Sequence, residues 1–191
     1  MKLGFNEAND RFCKNHSVMM DLELCEKYGF DCIDIQSECL NRDLEAGKIT
    51  LEEMGAWFQS HHLTMLSYNA LCFFNMKQTQ EEKDAVMAEL DEIIRRCNIL
   101  GCKMIVVVPS KDMKERGLTP TRKEIREDAV AVLKEMVKKC EPHGIRLSLE
   151  FCGEPSMTIN RFEDAYAIVE EVNSPLVGVT LDQYHFYAMG S

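Results

Sequence analysis

Ile145-Arg146-Leu147-Ser148-Leu149-Glu150 and Val177-Gly178-Val179-Thr180-Leu181-Asp182 are the two stretches on which the fold turns. Each is an apolar run that ends on a carboxylate, and His185 follows Asp182 by three residues. An unpaired buried charge costs several kcal/mol or more, so a buried strand ending in Glu or Asp needs a partner for it. A divalent cation shared by Glu150 and Asp182 is such a partner, because hard cations take oxygen ligands. One strand-end carboxylate is equally well explained by solvent; two in consecutive units favour the shared ion. Both stretches also alternate. Ile145, Leu147 and Leu149 share one face, with Arg146, Ser148 and Glu150 opposite; Val177, Val179 and Leu181 share another, with Gly178, Thr180 and Asp182 opposite.

The same unit recurs along the chain: a capped amphipathic helix, a glycine, then a short apolar strand. Capping-box spacing occurs at Thr50/Glu53, Thr79/Glu82, Thr121/Glu124 and Asn160/Glu163. Gly29, Gly101 and Gly144 stand where a left-handed cap would end a helix. Strands are expected at 3–6, 31–36, 63–69, 103–108, 145–150 and 177–182, with five intervening helices. No linker rich in Gly, Pro or Ser interrupts them, so residues 1–191 read as a single domain.

Alternating strands and helices mean parallel strands joined by right-handed crossovers. An open doubly wound sheet has strands that are apolar on both faces, whereas three strands here carry a polar face, the second through Cys32, Asp34 and Gln36. A polar inner face that grows more polar toward the C-terminal end describes the mouth of a (β/α) barrel. No Gly-x-Gly-x-x-Gly follows any strand, which removes the main support for a dinucleotide fold. The expected fold class is therefore α/β, a TIM-type barrel. It is incomplete, because a full barrel takes about 250 residues and this chain has 191. Open edges at the first and sixth strands would then suit a homo-oligomer, and a truncated chain or fragment is expected.

With 46% hydrophobic and 28% charged residues, the composition is that of an ordinary globular protein. The net charge of −10 argues against a nucleic-acid partner, since phosphate contacts need a basic surface. Nine cysteines without a C-x-x-C pair read as reduced, mostly structural thiols of a cytoplasmic protein. The absence of about 18 consecutive apolar residues argues against a membrane partner.

Five segments together resemble the xylose-isomerase-like TIM-barrel superfamily of sugar isomerases, epimerases and apurinic endonucleases, and most strongly its isomerases of inosose-type cyclitols. They are residues 21–27, 58–62, 69–75, 149–153 and, the most specific, 182–191 (DQYHFYAMGS). The resemblance implies one divalent metal ion (Zn, Mn, Mg or Co) at the barrel mouth, held by carboxylates after strands five and six, which fall on Glu150 and Asp182. It implies a His and a Glu after strands seven and eight, for which residues 1–191 offer no counterpart. His185 would face substrate, and Asp34 stands where relatives often carry Glu.

An isomerase of this kind removes a proton alpha to a carbonyl and returns one next door, and a metal holding both enediolate oxygens stabilises the charge that develops. Glu150 would be ligand and acid/base at once. Asn6 and Asn69 at strand ends would bind substrate hydroxyls, although an asparagine there caps a loop as readily. The expected partner is a small sugar or cyclitol. A non-catalytic half-barrel that binds a ligand or a partner chain is the alternative, and an apurinic-site endonuclease is a weaker one because of the charge. Three other features read as structural. His61-His62 ends a helix, Met19-Met20 fills core, and Phe73-Phe74 packs in a loop.

Overall fold

The computed structural model describes residues 1–13 and 16–191. Six strands appear in the expected places: β1 (Gly4–Asn6), β2 (Cys32–Gln36), β3 (Thr64–Cys72), β4 (Met104–Val108), β5 (Arg146–Glu150) and β6 (Val177–Thr180). They follow chain order across one sheet, β1-β2-β3-β4-β5-β6. Pairing is parallel between β1 and β2, between β2 and β3, and between β5 and β6. Parallel neighbours in chain order are the strand arrangement of a (β/α) barrel; the sheet is six strands long and not closed on itself.

The helices are α1 (Val18–Lys27), α2 (Ser37–Glu45), α3 (Leu51–Ser60), α4 (Gln80–Leu100), α5 (Arg122–Cys140), α6 (Phe162–Val172) and α7 (Gln183–Ala188). Five crossovers connect the six strands as expected. The β2–β3 crossover holds two helices, however, because α2 was hidden: it begins at Gln36 without a side-chain cap. Thr50 and Thr121 close capping boxes with Glu53 and Glu124, and Thr79 exchanges hydrogen bonds with Glu82 at 3.1 and 3.2 Å. The fourth box does not form. Asn160 instead donates its side-chain amide to the Glu154 carbonyl at 3.2 Å, and Arg161 precedes α6 with no side-chain cap.

The contacts divide the chain into two compact units, residues 1–70 with 93–104, and residues 71–92 with 105–191. In the first, Ile33, Ile35, Leu22, Leu40, Met54 and Leu63 are buried. There α3 approaches α4 closely at Gly55, where a Cβ would lie 2.6 Å from the Ile99 carbonyl oxygen. In the second, Leu147, Leu149, Ile105, Leu133, Ile159 and Phe151 are buried. In β5 Arg146 is exposed, Leu147, Ser148 and Leu149 are buried, and Glu150 is half-buried. β6 departs from the expectation at its end. Leu181 lies beyond the strand and is exposed, because the chain turns there into α7.

Candidate metal centre

Glu150 ends β5, and Asp182 follows β6 at the N-cap of α7. Register places Glu150 beside Thr180, and one strand pair back the Ser148 hydroxyl lies 2.7 Å from that of Thr180. This polar row is the inner face that the alternation assigned. Asp182 Oδ1 accepts the backbone N–H groups of Tyr184 (2.7 Å) and His185 (3.3 Å), so the residue starts α7 and presents His185 in its first turn. The helix is pinned from below. Phe186 meets Phe151 and Phe162 at centroid distances of 5.9 and 5.4 Å, edge-on and tilted respectively. Gly153 lets it sit close, since a Cβ at 153 would stand 2.4 Å from the His185 carbonyl oxygen.

The result is a constellation of three donors. One ligand atom each from Glu150, Asp182 and His185 lies within 4.8 Å of the others, and all three residues are half-buried. His185 Nδ1 is buried with no hydrogen-bond partner. Two carboxylates and an imidazole with a buried unpaired nitrogen fit a divalent cation of the Zn or Mn type. Cys152 lies alongside, but burial and the Glu150 carboxylate push its thiol up to about 12, so it stands as a neutral wall.

The other residues expected at a site fall in the first unit. Asn69 Nδ2 donates to Asp34 Oδ2 at 2.9 Å, and the Ser67 hydroxyl donates to Asp34 Oδ1. Burial pushes Asp34 above the usual carboxylate range against these two hydrogen bonds. Asn6 caps the turn at Glu7–Asn9 by accepting the Ala8 N–H at 2.9 Å, the bland role. Its Oδ1 also lies 3.5 Å from Gln36 Nε2. His61 stacks on Trp57 at 3.9 Å, while His62 joins Glu26 at 2.7 Å. Both serve structure. Phe73 is exposed at positive φ, and Phe74 is buried.

The sequence reading missed a second cluster in the first unit: Glu7, Asp10, His16, Asp21 and Asp43, with Arg42 and Lys48. These residues sit on a turn, the entry to α1 and the end of α2, so no single motif announced them. The only signal was charge placed inside amphipathic helices, as at Asp21 and Asp43.

A family model described as xylose isomerase-like TIM barrel matches residues 22–191. The chain belongs to that family. It is 40% identical over 192 residues to an inosose isomerase of Bacillus subtilis (strain 168), and 38% identical over 192 residues to that of Bacillus velezensis. These alignments take in all of this chain but 66% and 65% of the relatives, so it spans about two thirds of their length. The solved IOLI protein with a binding zinc atom superposes with a TM-score of 0.91 at 39% identity, over all of this chain and 66% of that one. D-psicose 3-epimerase with D-tagatose, from Clostridium cellulolyticum H10, shares the fold at a TM-score of 0.75 and 17% identity, over 98% of this chain and 65% of its own.

Proposed function

We propose that this chain carries the metal-holding part of an isomerase or epimerase acting on a keto-cyclitol of the inosose type or a related keto-sugar. One observation carries the reading: Glu150, Asp182 and His185 bring their donor atoms within 4.8 Å of one another at the ends of β5 and β6. The likeness to inosose isomerases and to a zinc-binding neighbour supports it. A divalent ion bound there would supply stabilisation of negative charge on substrate oxygens. Glu150, half-buried at the end of β5, then takes the proton alpha to the carbonyl. His185 orients a substrate hydroxyl, held in place by the Asp182 cap and the Phe186 anchor. Asp34 and Asn69, hydrogen-bonded to each other within the first unit, are further groups of the kind that binds a hydroxyl.

The family's further His and Glu ligands have no counterpart in residues 1–191. The chain alone is therefore expected to bind Mn²⁺ or Zn²⁺ weakly and to turn over an inosose slowly or not at all. Titration of the chain with Mn²⁺, repeated with Glu150→Gln and Asp182→Asn, tests the centre; an ion retained unchanged by both variants overturns it. Brisk isomerisation by the 191-residue chain would overturn the expected dependence on further ligands.

A further inference from the structure

The missed cluster in the first unit has the makings of a site of its own. Three carboxylate oxygens surround His16 Nε2: Asp21 Oδ2 at 2.8 Å, Glu7 Oε1 at 3.3 Å and Asp10 Oδ1 at 3.5 Å. The His16 and Glu7 side chains are 1% and 0% exposed. Glu7 spends Oε2 on the Gln36 N–H at 2.7 Å, while Oε1 is buried, aimed at His16, and without a hydrogen-bond partner. Asp10 Oδ1 lacks one as well. A buried carboxylate oxygen left unpaired beside two other carboxylates is costly, and natural structures supply a partner for such a group.

Among the described residues, Arg42 and Lys48 do not supply it. Lys48 binds Asp43 at 2.9 Å, and Arg42 Nε lies 3.4 Å from the same carboxylate. Asp43 spends its other oxygen on the Val18 N–H at 2.9 Å. Glu7, Asp10 and Asp21 are thus left to share one imidazole, which burial holds below its ordinary protonation range. Burial likewise pushes Glu7 up to about 8 and, with Asp10 beside it, Asp21 up to about 7.

We propose that Glu7, Asp10, His16 and Asp21 form a second divalent-cation site, independent of the one at Glu150, that fastens the segment after β1 to the start of α1. The geometry suits it. Asp10, His16 and Asp21 bring one ligand atom each within 4.8 Å of one another, and so do Glu7, His16 and Cys39, so His16 belongs to both groups; Glu7 Oε1 and Asp10 Oδ1 stand 3.3 and 3.5 Å from His16 Nε2. Three carboxylates and one imidazole select Mn²⁺, Co²⁺ or Zn²⁺ over Ca²⁺. Cys39 Sγ flanks Glu7 and His16.

One contact must change. The Arg42 guanidinium, which only donates, touches His16 Nδ1. A histidine that binds metal through Nε2 carries its proton on Nδ1, so Arg42 has to withdraw. Its side chain is 43% exposed and already reaches Asp43, so it has somewhere to go. Cation binding is therefore opposed by Arg42.

The test is calorimetric titration of the whole chain with Mn²⁺ or Zn²⁺, with thermal unfolding followed at each concentration. Two ions are expected. One is lost in Glu150→Gln; the other survives it and is weakened about tenfold or more by Glu7→Gln and by Asp21→Asn. Both variants keep the size and shape of the side chain they replace, so the apo chain is expected to fold. Arg42→Ala should tighten the second ion severalfold. A single ion abolished by Glu150→Gln, or a second ion indifferent to Glu7→Gln and Asp21→Asn, overturns the proposal. Weaker binding in Arg42→Ala does so too. A parent chain that binds one ion only, retained in Glu150→Gln and weakened in Glu7→Gln and Asp21→Asn, would sink the proposed isomerase centre and leave this site standing.

Discussion

The clusters around Glu150 and around His16 contain the same donors, carboxylates and one imidazole, yet they are built in opposite ways. The first sits half-buried where two parallel strands end, each donor supplied by a strand terminus or the first turn after it. The second is sunk in the packing of α1, α2 and a turn, with Glu7, Asp21 and Asp43 almost wholly covered. Strand termini can hold charge cheaply because water reaches them before a ligand does. A buried cluster has no such reserve and must be neutralised by protons or a cation. One arrangement suits exchange of a substrate; the other suits permanence.

That contrast is open to attack. The largest effect should come from Glu150→Gln, which removes a proposed carboxylate ligand and is expected to weaken Mn²⁺ at the strand-end cluster beyond the roughly 100-fold cost of changes outside the ligand set. Binding that stays within a fewfold of the parent would erase the distinction. Phe151→Ala attacks the support under α7 instead. Phe151 is fully buried, and its loss should cost about 3–5 kcal/mol in denaturant unfolding. Gly153→Ala should cost about 1–3 kcal/mol, because the new Cβ meets the His185 backbone. It should also weaken metal binding at Glu150 while sparing the His16 cluster; equal weakening of both would show that the two clusters respond as one.

The smallest effect concerns a histidine that faces water. Hydrogen bonding to Glu26 holds His62 above its ordinary 6.5, and hydrogen bonds from His62 and Leu63 hold Glu26 below its ordinary 4.5 despite some burial. A raised histidine adds stability below 6.5 that fades as pH climbs through its folded value. A lowered carboxylate adds stability above 4.5 that fades as pH falls through its folded value. Glu26→Gln should therefore narrow the gap between parent and variant on either side of pH 4.5–6.5, by no more than an exposed pair supplies. A constant gap in pH-dependent unfolding would show that titration of the pair is not involved.

The strand-end cluster was legible because its residues interrupt a pattern. Glu150 and Asp182 close apolar runs whose alternation predicts which side they face, and Ser148 against Thr180 bears that side out. The rhythm of capping boxes and glycine caps gave the crossovers for a local reason: a box is written within four residues. Asn160/Glu163 shows where such spacing fails, since the amide found a carbonyl at Glu154 to bind instead. Helix α2 was hidden because it starts directly from β2 without a cap. The His16 cluster was hidden because its members come from positions 7 to 48 and meet only after α1 packs on α2. Asn6 and Asn69 were singled out as expected strand ends and Asp34 by the resemblance, but the hydrogen bond between Asn69 and Asp34 and that of Asn6 to the backbone needed coordinates.

Asp182 holds two posts at once. Its Oδ1 secures the first turn of α7, and that turn displays His185. Drawing this carboxylate away from its backbone amides would fray the helix start and retire the imidazole with it. Asp182→Ala and His185→Ala should thus be strongly non-additive in a double-mutant cycle: once the first anchor is gone, little remains for the second change to take.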